Sequence, residues 1–171
     1  MDVAFQGVMG LALLYLAYQD LRYHKVDSYV LPISLFVFAG VYSFLTYGFD
    51  ANFVIGFIIP FVLAYLTQLV TVIKFKLQNP NGELGDSPVT LGGLDIIILP
   101  VCTSIFGSHI IYYLLLLFIP MSVTRIKPVK RVVLGMFNGD YSEDNRYKQV
   151  FPLLPLLIFP FLIKFFLTAL L

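Results

Sequence analysis

Long apolar stretches separated by short polar segments are the main pattern of this chain. The stretches cover roughly residues 3–19, 29–47, 53–73, 88–106, 109–124 and 150–171. Several of them approach the ~20 residues that an α-helix needs to cross a hydrocarbon core about 30 Å thick. The pattern therefore predicts an all-α, polytopic membrane protein with six transmembrane helices and short cytoplasmic loops.

The composition agrees with this fold class. Apolar residues make up 59% of the chain and charged residues only 12%, against roughly 45–50% and about 25% in soluble domains. The polar remainder is too short to build a second core, so residues 1–171 are predicted to form a single integral-membrane domain. The formal net charge of +1 gives no indication of a nucleic-acid partner.

The region 88–124 is consistent with one long tilted helix or with two spans broken at "FGSH", residues 106–109. Lys and Arg residues are concentrated after the first and third stretches and before the last one. Short loops rich in Lys and Arg remain in the cytoplasm. All three loops share that side only if 88–124 crosses twice. This topology predicts a multi-pass protein of the cytoplasmic membrane, with both termini outside the cytoplasm.

Two acidic residues have no ordinary solvated position in this topology. Asp20 closes the first stretch, and Asp95 lies inside the fourth in "VTLGGLDIIILP". An ionisable side chain inside a membrane helix is costly and usually functional. Helix one runs toward the cytoplasm and helix four starts from it, so both carboxyl groups are predicted near the cytoplasmic boundary. Packing of the two helices would bring them face to face.

Two carboxyl groups in a small, partly dry space do not both ionise easily, so one retains its proton while the other acts as a base. Such a pair can activate a water molecule and polarise a peptide carbonyl, which is what peptide-bond hydrolysis requires. Gly92 and Gly93 precede Asp95 by less than one turn. They permit close backbone approach, either of an extended substrate strand or of a neighbouring helix.

These residues resemble the motifs of a membrane protease family. "DLRYHKV" after an apolar first helix and "GGLD" at the fourth are similar to the two motifs of type IV prepilin and archaeal preflagellin (archaellin) peptidases, aspartyl proteases of the GxGD class. The residues that carry the resemblance are Asp20, Arg22, Val26, Gly92, Gly93 and Asp95, with Leu94 at the place of the second motif glycine.

The resemblance implies an endopeptidase in which Asp20 and Asp95 are catalytic, supported by Gly92, Gly93 and Arg22. Its substrates would be pilin-like or archaellin-like precursors with a basic leader and an apolar helix, cleaved at the cytoplasmic membrane face. Bacterial members usually carry a cytoplasmic insertion with cysteine pairs and methyltransferase activity after the first helix. That interval is only residues 20–28 here, which implies that neither a methyl donor nor zinc nor any other cofactor is used.

Other readings stay open at this stage. The buried acids also suit a small ion- or proton-coupled transporter or channel subunit, although such proteins often place acids near mid-membrane and show an inverted repeat. In a purely structural protein, Asp95 would hydrogen-bond across helices. Asp27 and Asp86 are interpreted as solvated acids, and His24 and His109 are predicted on opposite sides of the membrane, so no metal site is expected. Membrane lipid is the remaining expected partner.

Overall fold

The computed structural model describes residues 3–23, 28–80, 93–138 and 153–170, and all regular structure in these ranges is helical. The helices are α1 Val3–Tyr23, α2 Val30–Tyr47, α3 Ala51–Gln78, α4 Gly93–Ser104, α5 Ile110–Val123, α6 Lys127–Asn138 and α7 Leu153–Leu170. Six of them, α1 to α5 and α7, occupy the six predicted apolar stretches. The all-α prediction is thus confirmed.

Three of the described helices, α2, α3 and α7, are long and apolar enough to cross a membrane, and α4 with α5 makes a fourth candidate if the pair is one broken span. The protein is therefore a candidate multi-pass membrane protein. Helices α4 and α5 contain 12 and 14 residues. At 1.5 Å per residue these are about 18 and 21 Å long, against about 30 Å of hydrocarbon.

The chain breaks between α4 and α5 where the sequence predicts it. A 3₁₀ turn at Gly107–His109 separates the two helices, and their axes are bent by 116°. We call residues 105–109 the elbow. The bend excludes the alternative of one long tilted helix through residues 88–124.

Close backbone contact holds the elbow against α3. Gly107 has a φ of +52°, and a Cβ atom on Gly56 would lie 2.8 Å from the Gly107 Cα. The backbone N–H and the hydroxyl of Ser108 both donate to Asn52 Oδ1, at 3.0 and 2.7 Å. Gly56 belongs to a π-helical turn, Val54–Ile58, within α3. A side chain at Gly56 would push the two backbones apart, whereas one at Gly107 would be strained by the positive φ and would meet the Asn52 side chain at 2.8 Å.

The C-terminal helix α7 is the shared packing partner of α1, α4 and α5. On α1, a Cβ atom at Gly10 would lie 3.5 Å from the ring of Phe161, which is fully buried. On α5, the fully buried Tyr113 donates its hydroxyl to the Leu157 carbonyl at 2.8 Å. Helix α7 therefore connects the helices that carry the two predicted catalytic acids.

The segment 125–148, predicted as a cytoplasmic loop, instead begins with helix α6. Apolar residues at helical spacing explain it: Val129, Val132, Val133 and Met136 recur every three or four residues, as on one face of a helix. The Lys and Arg residues between them are instead typical of a cytoplasmic loop. Two further bounds also differ, since α1 continues past Asp20 to Tyr23 and α3 continues past residue 73 to Gln78.

Candidate functional site

Asp20 is half-buried in the last turn of α1. Its carboxylate accepts a hydrogen bond of 3.3 Å from the backbone N–H of Leu154, the second residue of α7. The first N–H groups of a helix have no partner within it, and an acidic side chain can supply one. Asp20 thus lies where the C-terminal end of α1 meets the N-terminal end of α7.

Asp95 is the third residue of α4 and is also half-buried. A carboxylate in the first turn of a helix interacts favourably with the helix dipole, which suits this position. Asp95 lies close enough to Asp20 for the two carboxyl charges to repel each other. The structure thus brings together the two acids that the sequence places near one membrane boundary. We call Asp20 and Asp95 the acid pair.

Helix α7 is part of the reason the two acids meet. The sequence predicts that helices one and four pack on each other, whereas α1 packs mainly on α7, and α4 packs on α2, α3 and α7. The N-terminal end of α7 contacts Asp20 through Leu154. This third element of the site was missed, because no local pattern in "LLPLL" reveals which side chain its backbone contacts.

Two unfavourable effects act on Asp20, and one favourable contact opposes them. Partial burial removes water from its carboxylate, and the neighbouring Asp95 carboxylate adds like-charge repulsion, while the Leu154 N–H stabilises the ionised form. Burial and like-charge repulsion both oppose ionisation of the two carboxyl groups at the same time.

The remaining predicted site residues lie around this pair or outside the described residues. Arg22 is exposed, donates to the Tyr18 hydroxyl, and lies 5.4 Å from the Tyr23 ring centroid. Arg22 thus interacts with two tyrosines near the C-terminal end of α1. Gly93 is the first residue of α4. Gly92, with Val26 of the first motif, lies outside the described residues, as do Asp27 and Asp86.

Comparison with protein-family models, curated proteins and solved structures finds no match for this chain. The acid pair and the residues around it are therefore the features of this chain that indicate a function. Within the described ranges, no three His, Cys, Asp or Glu side chains form a group that could hold a metal ion. The groups that the described site offers are two carboxyl groups and one backbone donor.

Proposed function

We propose that this protein is a membrane aspartyl endopeptidase that removes the short N-terminal leader of pilin-like or archaellin-like precursors. The observation that supports the proposal most directly is the electrostatic interaction between Asp20 and Asp95. These residues come from opposite halves of the chain and lie on different helices, yet their half-buried carboxyl groups are close enough to repel each other. Hydrolysis by an aspartyl pair requires that juxtaposition.

In the proposed reaction, the ionised member of the acid pair takes a proton from a water molecule held between the two carboxyl groups. The protonated member donates to the scissile carbonyl and stabilises the oxyanion as the water oxygen attacks. The proton then passes to the leaving amine as the peptide bond breaks. The roles of acid and base are assigned to the pair and not to individual residues, because two coupled groups titrate together.

We propose that α1 crosses the membrane in addition to the three or four candidate spans, and that α4 and α5 cross separately, which gives six spans. The polar residues Gln6 and Gln19 of α1 are 3% and 5% exposed and face the protein interior. Its large outward side chains are Val8, Leu11, Leu14, Tyr15 and Tyr18. A helix with this distribution suits lipid on one side and protein on the other.

In this arrangement the acid pair lies at the cytoplasmic face of the cell membrane. The Lys and Arg residues at the end of α3 and in α6 are expected there by the positive-inside rule. The precursor would enter as an apolar helix from the bilayer, with its basic leader in the cytoplasm, and unwind beside Asp20 and Asp95. The resemblance of "DLRYHKV" and "GGLD" to the GxGD peptidase motifs supports this substrate class, without a methyl donor or zinc.

The deciding experiment measures cleavage of a precursor that has a basic leader and an apolar helix. The assay uses membranes that contain the Asp20→Asn or the Asp95→Asn variant of the protein. Each change should reduce turnover by at least about 10³-fold, because each removes one of two carboxyl groups that act together. Asp50→Asn is the matched control, because Asp50 is an exposed acid in the loop before α3. It should cleave like the original protein.

One outcome would reject the peptidase, and another would transfer the test to a single variant. Cleavage that persists in both variants would leave the acid pair without a catalytic role, and proton or cation flux that depends on both acids would then favour the transporter. Loss of folded, inserted protein along with cleavage would favour a structural role for Asp20, which the hydrogen bond from Leu154 also allows. Asp95→Asn then becomes the decisive variant.

A further inference from the structure

A cavity of about 480 Å³ lies beside the elbow, at the end of α4 opposite Asp95. Its walls come from Phe106, His109, Tyr112, Leu115, Leu116, Lys164 and Leu167. The volume is within the range of small-molecule sites, which are mostly apolar with a few placed polar groups. Tyr112, Leu115 and Leu167 are exposed on the outside of the bundle. The cavity is therefore open toward the surface that would face lipid.

Lys164 is the cationic group of this cavity. It is half-buried in α7, and its ammonium group donates to the Ile105 carbonyl at the elbow. The same ammonium lies 4.7 Å from the centroid of the Phe106 ring. Within the described part of the chain, no carboxylate pairs with it. An ammonium group has three donors, so the Ile105 carbonyl leaves capacity for an anionic ligand.

The charge and shape of the cavity together define the ligand class. A half-buried ammonium group in apolar surroundings is stabilised when it donates a charge-assisted hydrogen bond to an anionic group. The apolar walls formed by Leu115, Leu116 and Leu167 offer nothing to a small soluble anion, but they suit a hydrocarbon chain. A molecule with both features, an anionic headgroup and a long apolar chain, is a membrane lipid.

We propose that the cavity binds one anionic lipid of the surrounding bilayer, with its headgroup on Lys164 and a hydrocarbon chain along α5. This inference does not depend on the proposed peptidase activity. Asp95 and the elbow are at opposite ends of α4, about 14 Å apart along its axis. Loss of the lipid is therefore expected to leave the acid pair in place, so the two proposals can fail separately.

Native mass spectrometry of the purified full chain tests the proposal, with phosphatidylglycerol and phosphatidylcholine as the probes at equal concentration. The original protein should retain one phosphatidylglycerol in about tenfold preference to phosphatidylcholine, because only the former carries a net negative charge. Lys164→Gln should abolish that preference. Lys74→Gln is the control, since Lys74 is exposed on α3, and it should keep the preference.

A second variant covers the possibility that Lys164→Gln disturbs the elbow through the Ile105 carbonyl. Leu115→Trp places a larger side chain at the cavity wall and leaves Lys164 in place, and it should reduce retention of phosphatidylglycerol about tenfold. Equal retention of the two lipids by the original protein would overturn the proposal. So would unchanged retention in both variants, displacement of the lipid by excess inorganic phosphate, or a second copy of the chain occupying the cavity.

Discussion

The backbone N–H of Leu154 donates a hydrogen bond to the carboxylate of Asp20 at 3.3 Å. One of the two acids proposed for catalysis therefore also holds the first turn of α7 against the last turn of α1. The stability of this site and the proposed activity therefore involve the same carboxylate. Experiments on Asp20 must separate the two contributions, and the choice of substitution does so.

Asp20→Ala should lower the free energy of unfolding by about 1 kcal/mol more than Asp20→Asn does, because the Asn carbonyl can still accept from Leu154 whereas alanine cannot. Both variants should be inactive in precursor cleavage. Thermal unfolding in one detergent, followed side by side with cleavage, measures both effects. Equal stability of the two variants would show that the hydrogen bond from Leu154 contributes nothing.

The contact between Gly56 and Gly107 predicts a local loss of stability on substitution. Gly56→Ala would place a Cβ atom 2.8 Å from a backbone atom of the elbow, which costs about 1–3 kcal/mol of unfolding free energy. Gly107→Ala adds the strain of a positive φ, about 1–2 kcal/mol. Thermal unfolding of the purified variants measures both.

Gly135→Ala is the matched control for the elbow glycines. Gly135 lies in helix α6, and a Cβ atom there would meet no heavy atom within 4 Å. Alanine is the better helix former by about 1 kcal/mol, so this variant should be as stable as the original protein or slightly more stable. If all three substitutions had the same effect, close packing at the elbow would not be the cause.

Tyr113→Phe should destabilise the contact between α5 and α7. The Tyr113 hydroxyl is buried and donates to the Leu157 carbonyl at 2.8 Å, so its removal leaves a buried carbonyl without this donor. The expected loss is about 1–3 kcal/mol of unfolding free energy. Tyr112→Phe, at an exposed neighbouring position, should be close to neutral. Matching midpoints for the two variants in thermal unfolding would contradict the assignment.

The lowered pKa of Asp50, at the start of α3, predicts that the stability of the protein depends on pH. The backbone N–H of Phe53, and then the side-chain amide of Asn52, lower the pKa of Asp50 below its ordinary value of 3.8. Because this pKa is lowered on folding, the ionised Asp50 carboxylate stabilises the fold fully above the unfolded-state pKa. This contribution is lost as the pH falls through the folded-state pKa.

The Asp50→Ala variant tests this dependence. Its unfolding temperature should lie below that of the original protein at neutral pH, and the difference should shrink as the pH falls below about 4. Asp50→Asn serves as the control, because its amide carbonyl accepts from Phe53 at any pH. A difference between Asp50→Ala and the original protein that stays constant down to about pH 2 would refute the prediction.

Much of this arrangement could be predicted from the sequence, for identifiable reasons. Apolar run length indicates the helices, and "FGSH" marks the break between α4 and α5. The cytoplasmic side assigned to Asp20 and Asp95 from the positions of Lys and Arg stays a prediction. The signal for α6 was present in Val129, Val132, Val133 and Met136, but the basic residues among them obscured it.

Contacts between distant segments could not be predicted in the same way. Nothing in the sequence around Leu154 identifies Asp20 as its partner, and nothing around Gly56 indicates that the backbone of Gly107 lies against it. Nothing in the sequence around Lys164 identifies the Ile105 carbonyl as its acceptor. These relationships depend on how helices pack in three dimensions, which residue type and spacing along one chain do not encode locally.

The attachment of the elbow has a mechanical consequence for the acid pair. Asn52, Gly56 and Lys164 all hold the C-terminal end of α4, while Asp95 is near its other end, about 14 Å away at 1.5 Å per residue. Helix α4 is therefore anchored at the end that does not carry Asp95. A tilt of about 10° about that anchored end would move Asp95 by roughly 2 Å at this length, and would change its separation from Asp20.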